Sequence, residues 1–303
     1  MKKILMTGAT GFIGSNLAKA LSSNYELDSV GRDFFKSKLL KKSFSTNVDF
    51  VIHCAYSSVS VKDNLKMINI LHDTLINSNS MDKRLIVLGT FAAYINNNEF
   101  IVESAPITNA NFKYLKIKNN ISIELAKLAK NNSDIKIIEL EPTIVMGLGG
   151  GWQRLASKIS EINGVVRVPF SGLGVCNVID VEELAFYVKS LLEVDSNQFN
   201  NINYQKFLIN GESKLTWRDW LIKYANISEG KIQATNENEW HYNWFINFCM
   251  QLYLVRKWGN FSNMKLSNFF SDADYEPRGL DRYAMRCKAI VQTDKIKKFL
   301  KIC

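Results

Sequence analysis

The start of the chain is its most constraining segment. Lys3-Ile4-Leu5-Met6-Thr7 is an apolar run, and glycines follow at positions 8, 11 and 14. Ser15 to Leu21 continues with helical spacing of its apolar residues. A buried strand, a glycine turn and a helix in that order open a parallel α/β unit and predict a site for a dinucleotide. Gly8 permits the tight turn, Gly11 lets the backbone approach a pyrophosphate, and Gly14 lets the helix pack close to the strand. Thr10, Phe12 and Ile13 complete the turn, and the free N–H groups of the helix start face the phosphate charge. The spacing is G-x-x-G-x-x-G, not the commoner G-x-G-x-x-G.

The second predicted strand, Glu26 to Val30, runs into Gly31-Arg32-Asp33. An acidic residue at this point accepts a ribose 2′-OH in NAD sites, and an Arg accommodates the 2′-phosphate of NADP. Gly31 occupies the acid's place and Arg32 follows it, which predicts NADP; Asp33 keeps NAD open.

Tyr114 and Lys118 stand at i and i+4 and share a helix face. A free phenol titrates near 10, high for acid–base work at neutral pH, and a neighbouring cation lowers that value. Lys118 is expected to do so while its ammonium holds a nicotinamide ribose. The pair alone is common in a Lys-rich chain; its place after the glycine turn gives it weight. Between them lie two more predicted strands, Asp49 to Ala55 and Leu85 to Leu88, the latter followed by Gly89-Thr90-Phe91.

Together these segments resemble the extended short-chain dehydrogenase/reductases of the NAD-dependent epimerase/dehydratase group. The resemblance rests on TGATGFIG at 7–14, DFVIHCA at 49–55, INI at 68–70, LGTFAAY at 88–94, YLKIK at 114–118, EPTIVMG at 141–147 and GLGVCNVIDVEELA at 172–185. It covers residues 1 to about 212. It implies a Rossmann-type doubly wound parallel α/β sheet with a smaller, discontinuous C-terminal substrate lobe. Residues 1–145 and 177–212 would form the first, and 146–176 and 213–303 the second.

By the same resemblance Tyr114 is the acid/base, Lys118 its partner, Thr90 the hydroxyl that binds the reacting oxygen, and Asn69 the asparagine near the cofactor. Cys54, Ala55, Pro142 and Thr143 border the cofactor. Tyr56, Phe91, Gly151, Trp152, Arg154 and Cys176 face the substrate, with Lys158 and Arg167 as further phosphate contacts. Three departures stand out. Glu141 replaces the family's usual Arg and removes a positive charge. Cys176 falls where many nucleotide-sugar epimerases carry an Arg. The stretch from Arg32 to Asp49 is short for the usual third strand.

Composition limits the alternatives. Hydrophobic residues make up 47% and charged residues 22%, a globular balance. The net charge of +9 is spread, without a nucleic-acid recognition motif, so no nucleic-acid partner is expected. The five cysteines and three histidines show no metal spacing, which predicts no metal site and reduced thiols. Met1-Lys2-Lys3 leads straight into the first strand, which predicts a cytoplasmic protein without a leader. Trp240 to Trp258, dense in aromatic residues, reads as a helix capping the lobe or forming a dimer face; peripheral membrane contact is the less favoured reading, and a transmembrane span is not expected. Thr216 before Asp219 predicts a helix cap.

The resulting expectation is an NADP-dependent reductase of a nucleotide-activated keto-sugar, a homodimer in surface-polysaccharide precursor synthesis. The alternatives are an NAD-dependent nucleotide-sugar epimerase and a reductase of an apolar or steroid-like alcohol or ketone. A dehydratase is disfavoured because Phe91-Ala92 follows Thr90, where that branch carries an acidic pair.

Overall fold

Strands buried on both faces read as continuous apolar runs, and FVIH and RLIVL do so here. In the computed structural model these join four others in one six-stranded sheet. The strands are β1 (Lys3–Thr7), β2 (Glu26–Val30), β3 (Phe50–His53), β4 (Lys83–Leu88), β5 (Ile135–Pro142) and β6 (Tyr204–Ile209). Their order is β6-β5-β4-β3-β1-β2, and every neighbouring pair is parallel. The structure describes residues 1–31, 47–58, 60–94, 100–105, 107, 113–157, 166–169, 172–199, 202–211, 214–235 and 290–302. Arg32, Asp33, Lys158, the Arg167 side chain and the segment 240–258 lie outside the described residues.

The helices are α1 (Phe12–Leu21), α2 (Val61–Ile76), α3 (Lys113–Asn131), α4 (Gly151–Ala156), α5 (Val181–Glu193), α6 (Trp217–Ala225) and α7 (Asp294–Leu300). Alternation along each strand divides the core between two faces. Ile4, Met6, Phe50, Ile52, Ile86 and Leu140 pack with Leu17 of α1 and Leu184 and Val188 of α5. Leu5, Val51, Leu85, Val87 and Ile137 pack with Ile68 and Leu71 of α2 and Ile117, Ile121 and Leu125 of α3. Helices on both faces are what a doubly wound sheet requires. β2 and β3 leave β1 on opposite sides, and at such a switch point ligands bind beyond the carboxyl ends of the strands.

The amino ends are closed differently. Arg84, 1% exposed, lies between the rings of Phe50 and Phe199, 5.3 and 5.0 Å from their centroids. Its Nε and Nη2 donate to the Asp82 carboxylate at 2.8 Å each, and Nη1 and Nη2 donate to the carbonyls of Leu191 and Val194 at 2.7 Å each. It pins the end of α5 to the sheet.

Beyond the carboxyl end of β5 a separate apolar cluster gathers Ile144, Met146, Cys176, Val178, Trp217 and Trp220. Ile144–Met146 pairs parallel with Val178–Asp180, and Val175–Cys176 pairs antiparallel with Leu215–Thr216. Thr216 caps α6 as its sequence predicts. Its Oγ1 accepts from the Asp219 N–H at 3.1 Å, and the Asp219 carboxylate accepts from the Thr216 N–H at 2.8 Å. Among the described residues, no helix is long and apolar enough to cross a membrane, and no group of His, Cys, Asp or Glu could hold a metal.

Candidate active site

At the carboxyl end of β1, Gly8 has φ +71°, in the left-handed region, and a Cβ there would fall 2.7 Å from the Ala55 nitrogen. A Cβ on Gly14 would lie 2.1 Å from the Gly8 carbonyl oxygen. The turn is thus clamped between β3's exit, Cys54-Ala55, and the first turn of α1. Thr7 ties the same strand ends together: its Oγ1 lies 2.7 Å from His53 Nδ1 and accepts from the Ala55 N–H at 3.3 Å. Gly11 starts α1 without a side-chain cap, no acidic residue occupies the first turn, and Thr10 and Gly11 are exposed. Uncapped N–H groups in an open glycine cradle fit the pyrophosphate of a dinucleotide. Ile13 packs on the core, and the Phe12 ring lies against Gly147 and Gly150 in the loop that leads to α4.

α3 delivers the Tyr–Lys pair to the ends of β3 and β4. Thr90 is within hydrogen-bonding reach of the Tyr114 phenol. The Lys118 ammonium donates to the Leu88 carbonyl at 2.7 Å and lies 5.1 Å from the centre of the Tyr56 ring and 6.0 Å from that of Tyr114. Tyr56 meets Tyr114 edge-on, with ring centres 5.5 Å apart. The structure therefore brings Thr90, Tyr114, Lys118 and Tyr56 together beside Cys54 and the glycine turn.

Charge behaves differently from the sequence expectation. Burial raises the Tyr114 phenol above its ordinary value, and the Thr90 hydroxyl only partly opposes it. The phenol is thus protonated at neutral pH, where Lys118 was expected to pull it down. Burial also lowers Lys118, to about 8, against the attraction of Glu139, Cys54 and Glu141. Lys118 is half-buried as a residue, but its ammonium is the part that lies inward. Burial, with help from Lys118, takes His53 down to about 3, so its imidazole is neutral. Burial pushes the Cys54 thiol up to about 12.

Other predicted residues lie elsewhere. The Asn69 amide donates to the Leu65 carbonyl at 2.9 Å and to Glu124 Oε1 of α3 at 3.1 Å, joining α2 to α3. Pro142 ends β5 and is buried, and the Thr143 hydroxyl donates to Asn210 Oδ1 at 3.0 Å. Phe91 opens a short 3₁₀ turn to Tyr94 and packs partly on the tryptophan cluster. Gly151 is exposed at the start of α4; Trp152 is half-buried, with ring centres 6.2 and 6.3 Å from Trp217 and Trp220. Arg154 Nη1 donates to the Gly149 carbonyl at 2.8 Å and so folds back on its own loop. Cys176, expected to face substrate, is 1% exposed inside the tryptophan cluster, where packing withdraws its thiol from any ligand.

Sequence reasoning missed a buried polar group behind Lys118. Glu139 and Glu141, two residues apart on β5, share the α3 face of the sheet. Glu139 accepts from the Ser122 hydroxyl at 2.8 Å and from the Tyr204 phenol. Glu141 accepts from the Tyr94 phenol at 2.8 Å and pairs with Lys206 Nζ at 3.1 Å. Lys206, on β6, supplies the positive charge that Glu141 seemed to remove. The signal was present in IIELEP, a strand whose apolar run is broken twice on one face.

A doubly wound sheet, a glycine cradle and a Tyr–Lys pair define a nucleotide-dependent oxidoreductase. Residues 4–188 match the model of the NAD dependent epimerase/dehydratase family, and the chain belongs to that family, an NAD(P)-dependent enzyme of the extended short-chain dehydrogenase type. Solved structures of the same fold include a human epimerase family protein with NADPH, at 14% identity over 98% of this chain and 93% of that one (TM-score 0.63). A dTDP-glucose 4,6-dehydratase from Bacillus anthracis in complex with NAD has 15% identity over 78% and 84% (TM-score 0.60). A dTDP-4-dehydrorhamnose reductase from Clostridium acetobutylicum has 17% identity over 78% and 85% (TM-score 0.56). No curated protein sequence matches the chain.

Proposed function

We propose that the chain is an NADPH-dependent reductase of a nucleotide-activated keto-sugar. The observation that carries this reading is the meeting of the Thr90 hydroxyl, the Tyr114 phenol and the Lys118 ammonium beside the Gly8–Gly14 turn. Reduction of a ketone consumes a proton at oxygen, which the phenol can give. The nicotinamide, when bound, supplies the hydride. Tyr114 gives its proton to the carbonyl oxygen, the Thr90 hydroxyl orients that oxygen, and Lys118 holds the cofactor ribose. The Gly8–Gly14 turn takes the pyrophosphate and Arg32 the 2′-phosphate. Tyr56, Phe91 and Trp152 line the approach of the sugar, within a lobe drawn from 146–176 and 213–303.

The fold similarity to a reductase of dTDP-4-dehydrorhamnose supports a keto-sugar substrate, and the Gly31-Arg32 sequence supports NADPH. A cytoplasmic homodimer working in polysaccharide precursor synthesis belongs to the same reading. The test is oxidation of NADPH and NADH by the purified protein against a panel of 4-keto-6-deoxy nucleotide sugars. Consumption of NADPH with a member of the panel is expected. Retention of NAD without net consumption of either cofactor would replace this reading by an epimerase.

A further inference from the structure

Tyr56 follows the carboxyl end of β3, in a loop that both of its neighbours fasten. The Ala55 N–H donates to Thr7 Oγ1 at 3.3 Å. Ser57 is held twice by Asn64 of α2: its N–H donates to Asn64 Oδ1 at 3.0 Å, and its carbonyl accepts from Asn64 Nδ2 at 2.7 Å. Asn64 is fully buried, and its Nδ2 also donates to the carbonyl of Ser60, the residue that caps α2. A buried amide that satisfies the backbone of a loop fixes the path of that loop. Tyr56 is thus set by the sheet on one side and by a helix on the other, and its side chain packs on the apolar cluster that α2 and α3 cover.

The Tyr56 ring meets Tyr114 and Lys118 together. The Lys118 ammonium lies over it, 5.1 Å from its centre, and the Tyr114 ring stands 5.5 Å from it at 74°. An ammonium within about 6 Å of an aromatic face is attracted by the ring quadrupole, and the attraction grows as water is excluded. An edge-on pair of rings is likewise a favoured arrangement. The Tyr114 ring, 6.0 Å from the ammonium, stands at the limit of that range. Among the described residues Lys118 makes no ion pair and a single hydrogen bond, to the Leu88 carbonyl at 2.7 Å. That carbonyl precedes Gly89, whose backbone packs against the side chains of Glu139 and Glu141 and which brings no side chain of its own to the ammonium. One hydrogen bond leaves an ammonium on a flexible four-carbon stem free to swing about its acceptor. The Tyr56 ring supplies the second point of contact.

We propose that Tyr56 is a positioning residue of the active site: its ring holds the Lys118 ammonium at the Leu88 carbonyl and beside Tyr114, and so sets the lysine for the cofactor ribose. This role rests on the reading of Lys118 as the cofactor-holding lysine, and the aromatic ring, not the hydroxyl, carries it. It is separate from bordering the sugar, because it operates with no sugar present. A ring has a chemical advantage over an acid at this place. A carboxylate at position 56 would occupy the N–H groups of Lys118 in direct hydrogen bonds, whereas a π face attracts the charge and leaves donors for the ribose hydroxyls.

The experiment measures NADPH and NADH dissociation constants by fluorescence titration, without sugar, for Tyr56→Phe, Tyr56→Leu, Lys118→Met and the double variant of the last two. Tyr56→Leu is expected to weaken binding of the preferred cofactor by about 3–10-fold, the equivalent of one cation–π contact. Tyr56→Phe keeps the ring and is expected to bind as wild type does. In the Lys118→Met background Tyr56→Leu is expected to add nothing, because the group it acts through is gone. A Tyr56→Leu effect of equal size in both backgrounds, no effect in either, or a Phe variant as weak as the Leu variant overturns the proposal. A second readout needs no cofactor. The Lys118 Hε resonance, assigned by its loss in Lys118→Met, is expected upfield of the other lysines in wild type and Tyr56→Phe through the ring current, and to move toward them in Tyr56→Leu. If Tyr56→Leu does not fold, the wild-type spectrum decides alone, and a Lys118 resonance among the other lysines overturns the proposal. Wild-type affinity in Lys118→Met would instead remove the reading of Lys118 as the ribose-holding lysine, and this role with it. A negative sugar panel removes the proposed reaction without touching either result.

Discussion

The two ends of β4 each meet a cation, and the two cations are treated in opposite ways. At its amino end Arg84 is held by a carboxylate in bidentate fashion, by two carbonyls and between two aromatic rings. At its carboxyl end Lys118 has, among the described residues, a single hydrogen bond, to the Leu88 carbonyl, and its proton is held loosely, near pH 8. The guanidinium fork of Arg84 matches fixed partners. Lys118 keeps donors free and a labile proton. Full enclosure therefore serves cohesion at one end, and partial enclosure leaves room for chemistry at the other.

The largest expected effect separates chemistry from cohesion. Tyr114→Phe removes the proton donor and keeps the ring contact with Tyr56, so turnover is expected to fall by about 10²–10⁴-fold. Cofactor affinity, followed by fluorescence titration, and melting temperature are expected to stay near wild type; loss of affinity together with turnover would remove Tyr114 from its assigned role. At the opposite end, Arg84→Met leaves the Leu191 and Val194 carbonyls without this donor and Asp82 with Lys2 alone, and is expected to cost about 3 kcal/mol in denaturant unfolding. Activity per folded molecule stays unchanged, and Arg84→Lys recovers little because one ammonium cannot reproduce the fork.

Lys118→Met is expected to act in the reverse sense on stability. The folded-state value of Lys118, about 8, lies below its ordinary 10.5, so the charged form is penalised in the folded protein. The penalty is present in full below pH 8 and fades as pH rises toward 10.5, where the unfolded chain also loses the proton. The Met variant is expected to gain about 1–3 kcal/mol at pH 7 while losing cofactor affinity. Its stability should also lack the wild-type rise with pH between 8 and 10.5; a variant less stable than wild type at pH 7 would place Lys118 with Arg84. The smallest effect belongs to neither end. Thr216→Ala removes the α6 cap and is expected to cost about 1 kcal/mol, with no change in cofactor affinity.

Much of this was legible because the relevant signals are local. The glycine turn, the apolar runs of β1, β3 and β4 and the Tyr114–Lys118 spacing each depend on a few adjacent residues, and the folded chain forms that turn and those strands and sets Tyr114 and Lys118 side by side on one helix. The cap at Thr216 and Asp219 is local too. What could not be read depends on distant strands meeting. Glu141 looked like a lost positive charge because Lys206, its partner, lies 65 positions away on β6. Arg84 finds Leu191 and Val194 only once α5 closes over the sheet. The phenol of Tyr114 was expected to be lowered by a cation one turn away, but burial raises it and the Thr90 hydroxyl is what opposes the rise. Cys176 aligned with a substrate-facing position, and only the folding of three tryptophans around it, Trp152, Trp217 and Trp220, turned it inward.

The close approach of two acids to Gly89 also constrains how this protein can change. A Cβ at that position would fall 2.7 Å from Glu141 Cγ and 2.9 Å from Glu139 Oε1, while shortening either acid removes a partner of the half-buried Lys206 ammonium. The three positions are therefore coupled: a side chain at 89 requires the acids to shift or to shorten. A library that randomises Gly89 by itself is expected to favour glycine, and one that varies all three together will reveal whether a residue at 89 can take over the space the acids now fill.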